Sequence, residues 1–116
     1  MHNYKKLDTW ILAMKIARSI YQLAKDFPKE ENYGITSQIK RSAISIPSNI
    51  AEGAGRNNNG EFKHFLGIAA GSSYELETQL LLCQQFGFAD KQEVDPVFFD
   101  IEILQKKLYK LIKSLE

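Results

Sequence analysis

Ile46-Pro47-Ser48-Asn49-Ile50-Ala51-Glu52-Gly53-Ala54-Gly55-Arg56 occupies the middle of a 116-residue chain. It contains a helix breaker, two glycines, a Ser-Asn pair and a lone acid between alanine and glycine. A loop between helices, a kinked helix and a functional site are all open readings of it. The spacing decides between the first two. Ile39, Ala43, Ile46 and Ile50 recur at four, three and four residues, in phase across Pro47. A hairpin loop would not hold that phase, so the pattern predicts one helix over 36–54 with a bend at Pro47. Residues Ser45–Ile46 ahead of the proline could instead be extended. The Gly-Ala-Gly-Arg-Asn-Asn-Asn-Gly run, residues 53–60, carries the turn.

Working outward, Leu12, Ile16, Ile20, Leu23 and Phe27 form an apolar stripe, which predicts a helix over 8–27 capped by Asp8 or Thr9 and stopped at Pro28. Thr36 or Ser37 offers a cap for the second helix. Phe62, Leu66, Ala69, Leu76, Leu80 and Cys83 predict a third over 60–86. Its small-residue centre, Gly67, Ala70, Gly71, Ser72 and Ser73, suits close approach of another helix. Asp95-Pro96 reads as cap and first residue of a fourth helix over 95–115, with Phe99, Ile103, Leu104, Leu108, Leu111, Ile112 and Leu115 facing the core. The expected fold class is all-α, an antiparallel up-and-down four-helix bundle, in a single domain spanning 1–116.

Composition narrows the function. Fifteen Lys and Arg against fourteen Asp and Glu give a net charge of +1, unlike a strongly nucleic-acid-binding domain. The first half, residues 1–58, is mildly basic, with nine Lys and Arg against five acids. One cysteine, Cys83, permits neither an internal disulfide nor a cysteine-based zinc site. No run approaches the roughly 20 apolar residues of a membrane span, and the N-terminal basic patch has no apolar segment after it. A cytoplasmic protein without membrane contact is expected.

Arg41, Ser45, Asn49, Glu52 and Arg56 share one face of the second helix, with Glu52 and Arg56 placed to pair. This face is either solvated or makes a polar helix contact through Asn49, Glu52 and Arg56, with His64, Glu75 and Thr78 of the third helix as candidate partners. Catalysis has little to build on. Two histidines, one of them His2 near the terminus, do not give the Glu-x-x-His pairs on two helices that a ferritin-like metal centre needs. There is no Gly-x-Ser-x-Gly elbow and no phosphate loop. No catalytic residue, cofactor or metal is assigned, and the chain is read as a non-enzyme. Lys40, Arg41, Arg56 and Lys63 are candidate contacts for RNA or DNA, weak in one subunit and strengthened by repetition round an oligomer. A homo-oligomer fits the small core and abundant aromatic residues. The alternative is a bundle that binds another protein.

The segments YGITSQIKRSAISIPSNIAEGAGR (33–56) and EFKHFLGIAAGSSYELETQL (61–80) resemble the bacterial 23S rRNA intervening-sequence proteins. Phe27-Pro28 and Trp10 extend the resemblance over most of the chain. It implies a small four-helix bundle assembled as a five-fold ring, without established catalytic residues. Related accessory proteins of diversity-generating retroelements form a similar pentamer with a basic surface for nucleic acid. Here Lys40-Arg41 stands where that family has an Arg-Arg pair, and Ala70 where arginine is frequent. Both departures weaken the case for nucleic-acid contact.

Overall fold

A computed structural model describes residues 2–116. Among them are four α-helices and no strand: α1 Asp8–Ala24, α2 Ile35–Ala54, α3 Asn59–Gln85 and α4 Lys91–Ser114. Short 3-10 turns, Tyr4–Lys6 and Lys29–Glu31, precede α1 and α2. The helices pack in sequence, α1 on α2, α2 on α3 and α3 on α4, and α4 returns against α1.

Helix α2 is uninterrupted through Pro47. Proline removes one backbone donor, but the apolar side chains on both sides of it hold the helix together. Ile39, Ala43, Ile46 and Ile50 are all fully buried. Complete burial of an isoleucine side chain is worth roughly 1.5–3 kcal/mol, so the three isoleucines alone outweigh one lost hydrogen bond. The start of α2 differs from expectation. Its cap position is Gly34, without a side-chain bond, and Thr36 is buried with no hydrogen-bond partner. Leu7 holds the cap position of α1, so neither Asp8 nor Thr9 caps it. That helix ends at Ala24, three residues before Phe27.

The end of α3 has a clear physical cause. Gly87 has φ +82°, a left-handed conformation that glycine adopts without steric cost. Its amide donates to the Gln84 carbonyl at 3.0 Å, and the Phe88 amide donates to the Cys83 carbonyl at 2.9 Å. These two bonds satisfy carbonyls that the helix end would leave free. Phe88 then packs near Phe27, with ring centroids 6.1 Å apart.

Helix α4 begins four residues before the expected Asp95. Asp90 caps it, accepting from the Glu93 amide at 2.9 Å, while Glu93 accepts from the Asp90 amide at 3.1 Å. This reciprocal cap fixes the first turn, and buried Val94 and Val97 hold it to the core. Pro96 therefore lies inside the helix. The bond it cannot donate would end on the Gln92 carbonyl, and Gln92 is exposed, so water can replace it. The earlier start moves the buried face to Val94, Val97, Ile101, Leu104 and Leu108. Phe99, expected in the core, is 65% exposed.

Helices α2 and α3 come close at Gly53. A Cβ built there would lie 2.7 Å from Phe65 Cβ, 3.0 Å from Phe62 Cδ1 and 3.2 Å from the Phe62 carbonyl oxygen. Elsewhere in a helix, alanine in place of glycine stabilises by about 1 kcal/mol. Here the sign reverses: Gly53→Ala should lower unfolding free energy by about 1–3 kcal/mol, the usual range for overpacking, in a urea titration followed by circular dichroism. A stabilised variant would show that α2 and α3 are not this close.

Candidate functional site: a polar seam between α2 and α3

Three serines lie where α2 and α3 meet. Ser45 Oγ and Ser72 Oγ are 2.8 Å apart across the contact. One turn earlier, Ser42 Oγ is 3.1 Å from the Gln38 carbonyl, 3.2 Å from Glu75 Oε1 and 2.8 Å from Gln79 Oε1. A hydroxyl carries one proton and can donate to only one of these. Turning the Gln79 amide through 180° makes its Nε2 a donor to Ser42 and leaves the hydroxyl proton for Glu75 or Gln38. Serine suits this position because its polar atom lies one bond beyond Cβ, so the helices approach closely and still satisfy each other. Ser73 is also buried and donates to the Ala70 carbonyl at 2.6 Å.

Asn49 folds back along its own helix. Its Nδ2 donates to the Ser45 carbonyl at 2.8 Å and to Ser45 Oγ at 3.0 Å, so it connects to α3 through the Ser45–Ser72 pair. Glu52 pairs with Arg56 at 3.6 Å, both substantially exposed, and the Arg56 guanidinium lies 4.8 Å from the centre of the Phe65 ring on α3. Of the residues named as partners for this face, Glu75 meets Ser42, Thr78 Oγ1 donates to the Tyr74 carbonyl at 2.9 Å, and His64 stands edge-on to Phe65 at 5.5 Å. None of the three bonds to Asn49 or Glu52. Ser42 and Gln79 were missed from sequence. The signal was present: Ser42 lies next to Ala43 on the buried side, and a buried serine needs a partner.

The basic residues are distributed along α2. Lys40 Nζ lies 5.0 Å from the centre of the Tyr21 ring, towards α1, and Arg41 is exposed. Arg56 is fifteen residues further on, roughly 22 Å along a helix axis, near the turn into α3 that also carries Lys63.

Chemistry needs reactive groups brought together. Cys83 is buried, and burial, reinforced by the negative charge of Glu31, pushes its thiol from 9.0 to about 11. At neutral pH it is therefore protonated and a poor nucleophile. Among the described residues, no three of His, Cys, Asp and Glu come together as metal ligands. No helix among them is long and apolar enough to cross a membrane.

The sequence profile described as 23S rRNA-intervening sequence protein matches residues 5–110, a span that takes in all of α1, α2 and α3 and most of α4. The chain belongs to this family. A crystal structure of a protein of unknown function from the S23 ribosomal protein family of Bacteroides thetaiotaomicron has the same fold, with a TM-score of 0.84 at 24% identity. The alignment covers 90% of this chain and 98% of that one. A search of curated proteins gives no match.

Within this fold the seam and the exposed ion pair should differ in energetic weight. Ser42→Ala removes a buried hydroxyl that bonds across the seam and should cost about 1–2 kcal/mol. Glu52→Gln removes an exposed pair and should cost under about 0.5 kcal/mol in the isolated subunit. Parallel denaturant titrations check this, and equal costs would contradict the assignment.

Proposed function

We propose that the protein is a non-enzymatic structural or interaction scaffold that works as a homo-oligomer, with the outer face of α3 as its self-contact. One observation carries this reading. A Cβ added at Gly67 or Gly71 would meet nothing within 4 Å. These glycines lower helix propensity by about 1 kcal/mol each, yet relieve no crowding inside the chain. They begin a stripe that continues through Tyr74, Thr78 and Leu81 at four, three, four and three residues, opposite the buried face of α3. Tyr74, Leu81 and Leu82 on this side are exposed apolar or aromatic groups. A helix of a second copy lying across Gly67 and Gly71 would cover them. In this reading each subunit is one domain and an antiparallel up-and-down bundle. Opposed registers support that topology: Ser42 meets Gln79 while Ser45 meets Ser72, and Lys15 meets Asp100 while Asp8 meets Lys107. Five copies are proposed from the family resemblance, in the cytoplasm.

Another protein, or RNA or DNA, is the partner class such a scaffold would serve. Lys40 and Arg41 sit well away from Arg56 and Lys63 on one subunit. Contact with a phosphate backbone would therefore depend on repetition round the oligomer.

Gly71→Leu separates assembly from folding. Light scattering should give a mass of several chains for the wild type and a smaller mass for the variant, with helical circular dichroism retained. A monomeric wild type, or an unchanged variant mass, would overturn the reading.

A further inference from the structure

We propose, on the self-contact reading above, that the joint between copies is heterologous: the α3–α4 side of one copy seats against the groove between α1 and α2 of the next. This groove is the surface that covers Gly67, Gly71 and Tyr74.

Two depressions of the subunit face opposite ways. One, of about 450 Å³, lies between α1 and α2 and is lined by Trp10, Met14 and Tyr21 of α1 and by Ile44 and Pro47 of α2. The other, of about 490 Å³, lies between α3 and α4, with Tyr74 on one helix and Glu102 and Tyr109 on the other. Each helix packs on its neighbours in sequence, and α4 on α1, which puts the two depressions on opposite sides of the bundle. Tyr21, Ile44, Tyr74 and Tyr109 are all exposed, so the fold of one chain uses neither set. An isologous contact, α3 on α3, brings the same patch from both copies and would leave the α1–α2 groove bare. A heterologous contact covers both sides and repeats from copy to copy until a ring closes.

Height is the second observation. Bundles standing side by side in a ring need their two contact surfaces at one level along the helix axes. Ser45 and Ser72, with hydroxyls 2.8 Å apart, mark one level on α2 and α3. With these helices antiparallel, Ile44 lies one residue to one side of that contact and Tyr74 two residues to the same side. At 1.5 Å per residue their levels differ by only about 1.5 Å.

Shape and charge fit as well. Gly67 and Gly71 leave open space on α3 for Ile44 of the next copy, whose α1–α2 groove leaves space for Tyr74. Arg18 is the one charged residue lining that groove among the described residues, and it has no carboxylate within 4.0 Å. Glu102 on the facing side offers one. Its pair with Lys106, at 3.5 Å, is exposed, and such a pair is weak enough to exchange.

Trp10, the sole tryptophan, lines the groove and reports on it. Light scattering first gives the wild-type mass, and a single-chain mass would overturn the self-contact reading and the heterologous joint together. In the assembled wild type, acrylamide should quench Trp10 fluorescence several-fold less than in single chains of Gly71→Leu. Residue 71 is across its own bundle from Trp10, so only a neighbouring copy can carry that effect. Ile44→Glu, at an exposed position, should also reduce the mass to single chains with helical circular dichroism retained. Mixed one to one, Ile44→Glu and Gly71→Leu should recover a mass of two chains, because each supplies the side that the other lacks. Equal quenching of Trp10 in assembled and single chains would overturn the heterologous joint and leave the α3 self-contact standing. An unchanged mass for Ile44→Glu, or no recovery on mixing, would do the same.

Discussion

The near-contact of α2 and α3 at Gly53 is the constraint on which the other packing depends. The backbone of α2 passes so near Phe62 and Phe65 that no side chain fits between them. That approach has to be sustained along the helices, and the residues that follow are those that allow it. Ser45 meets Ser72, and Ser42 reaches Glu75 and Gln79. Small hydroxyl side chains give a short reach and a bond at its end. With the seam closed, Ile46 and Ile50 of α2 share one core with Phe62, Leu66 and Leu76 of α3. Helices α1 and α4 complete that core and are joined at their outer edge by ion pairs, Lys15–Asp100 at 3.2 Å and Lys107–Asp8 at 3.6 Å.

The same constraint divides the glycines into two kinds. Gly53 is filled to contact from within the chain, whereas Gly67 and Gly71 face open space. A sequence rich in small residues at both places looks uniform, but the two sets sit on different sides of the α2–α3 pair. Only the first is explained by the fold of one chain. The second is what the self-assembly proposal uses, together with the aromatic and aliphatic residues on the same stripe.

How much of this was legible in the sequence varied with the kind of signal. The phase of Ile39, Ala43, Ile46 and Ile50 was enough to carry α2 through Pro47, because burial on four positions outweighs one missing donor. The beginning of α4 was misread for a related reason. Asp95-Pro96 has the chemistry of a helix start, but Asp90 and Glu93 make the reciprocal cap and Val94 and Val97 are buried. Starting the helix at Asp95 left Val94 outside it, and Phe99 was placed on the core side in preference to Val97. At the seam, Asn49, Glu52 and Arg56 were recognised as a polar face, but the partners could not be assigned. Which serine meets which residue depends on the register between two helices, and a single-helix pattern does not encode it. The pattern puts Ser42 beside the buried stripe but does not say that Gln79 lies opposite it.

The central claim is that α3 has one face buried by its own chain and a second covered by another copy. Hydroxyl-radical footprinting of the assembled protein tests the second. Tyr33 is fully exposed and serves as the internal reference, while Tyr74 and Leu81 are exposed in the isolated subunit. The account predicts strong protection of Tyr74 and Leu81 relative to Tyr33, lost on dilution to single chains. Modification of Tyr74 and Leu81 in the assembled protein as extensive as in single chains would contradict it.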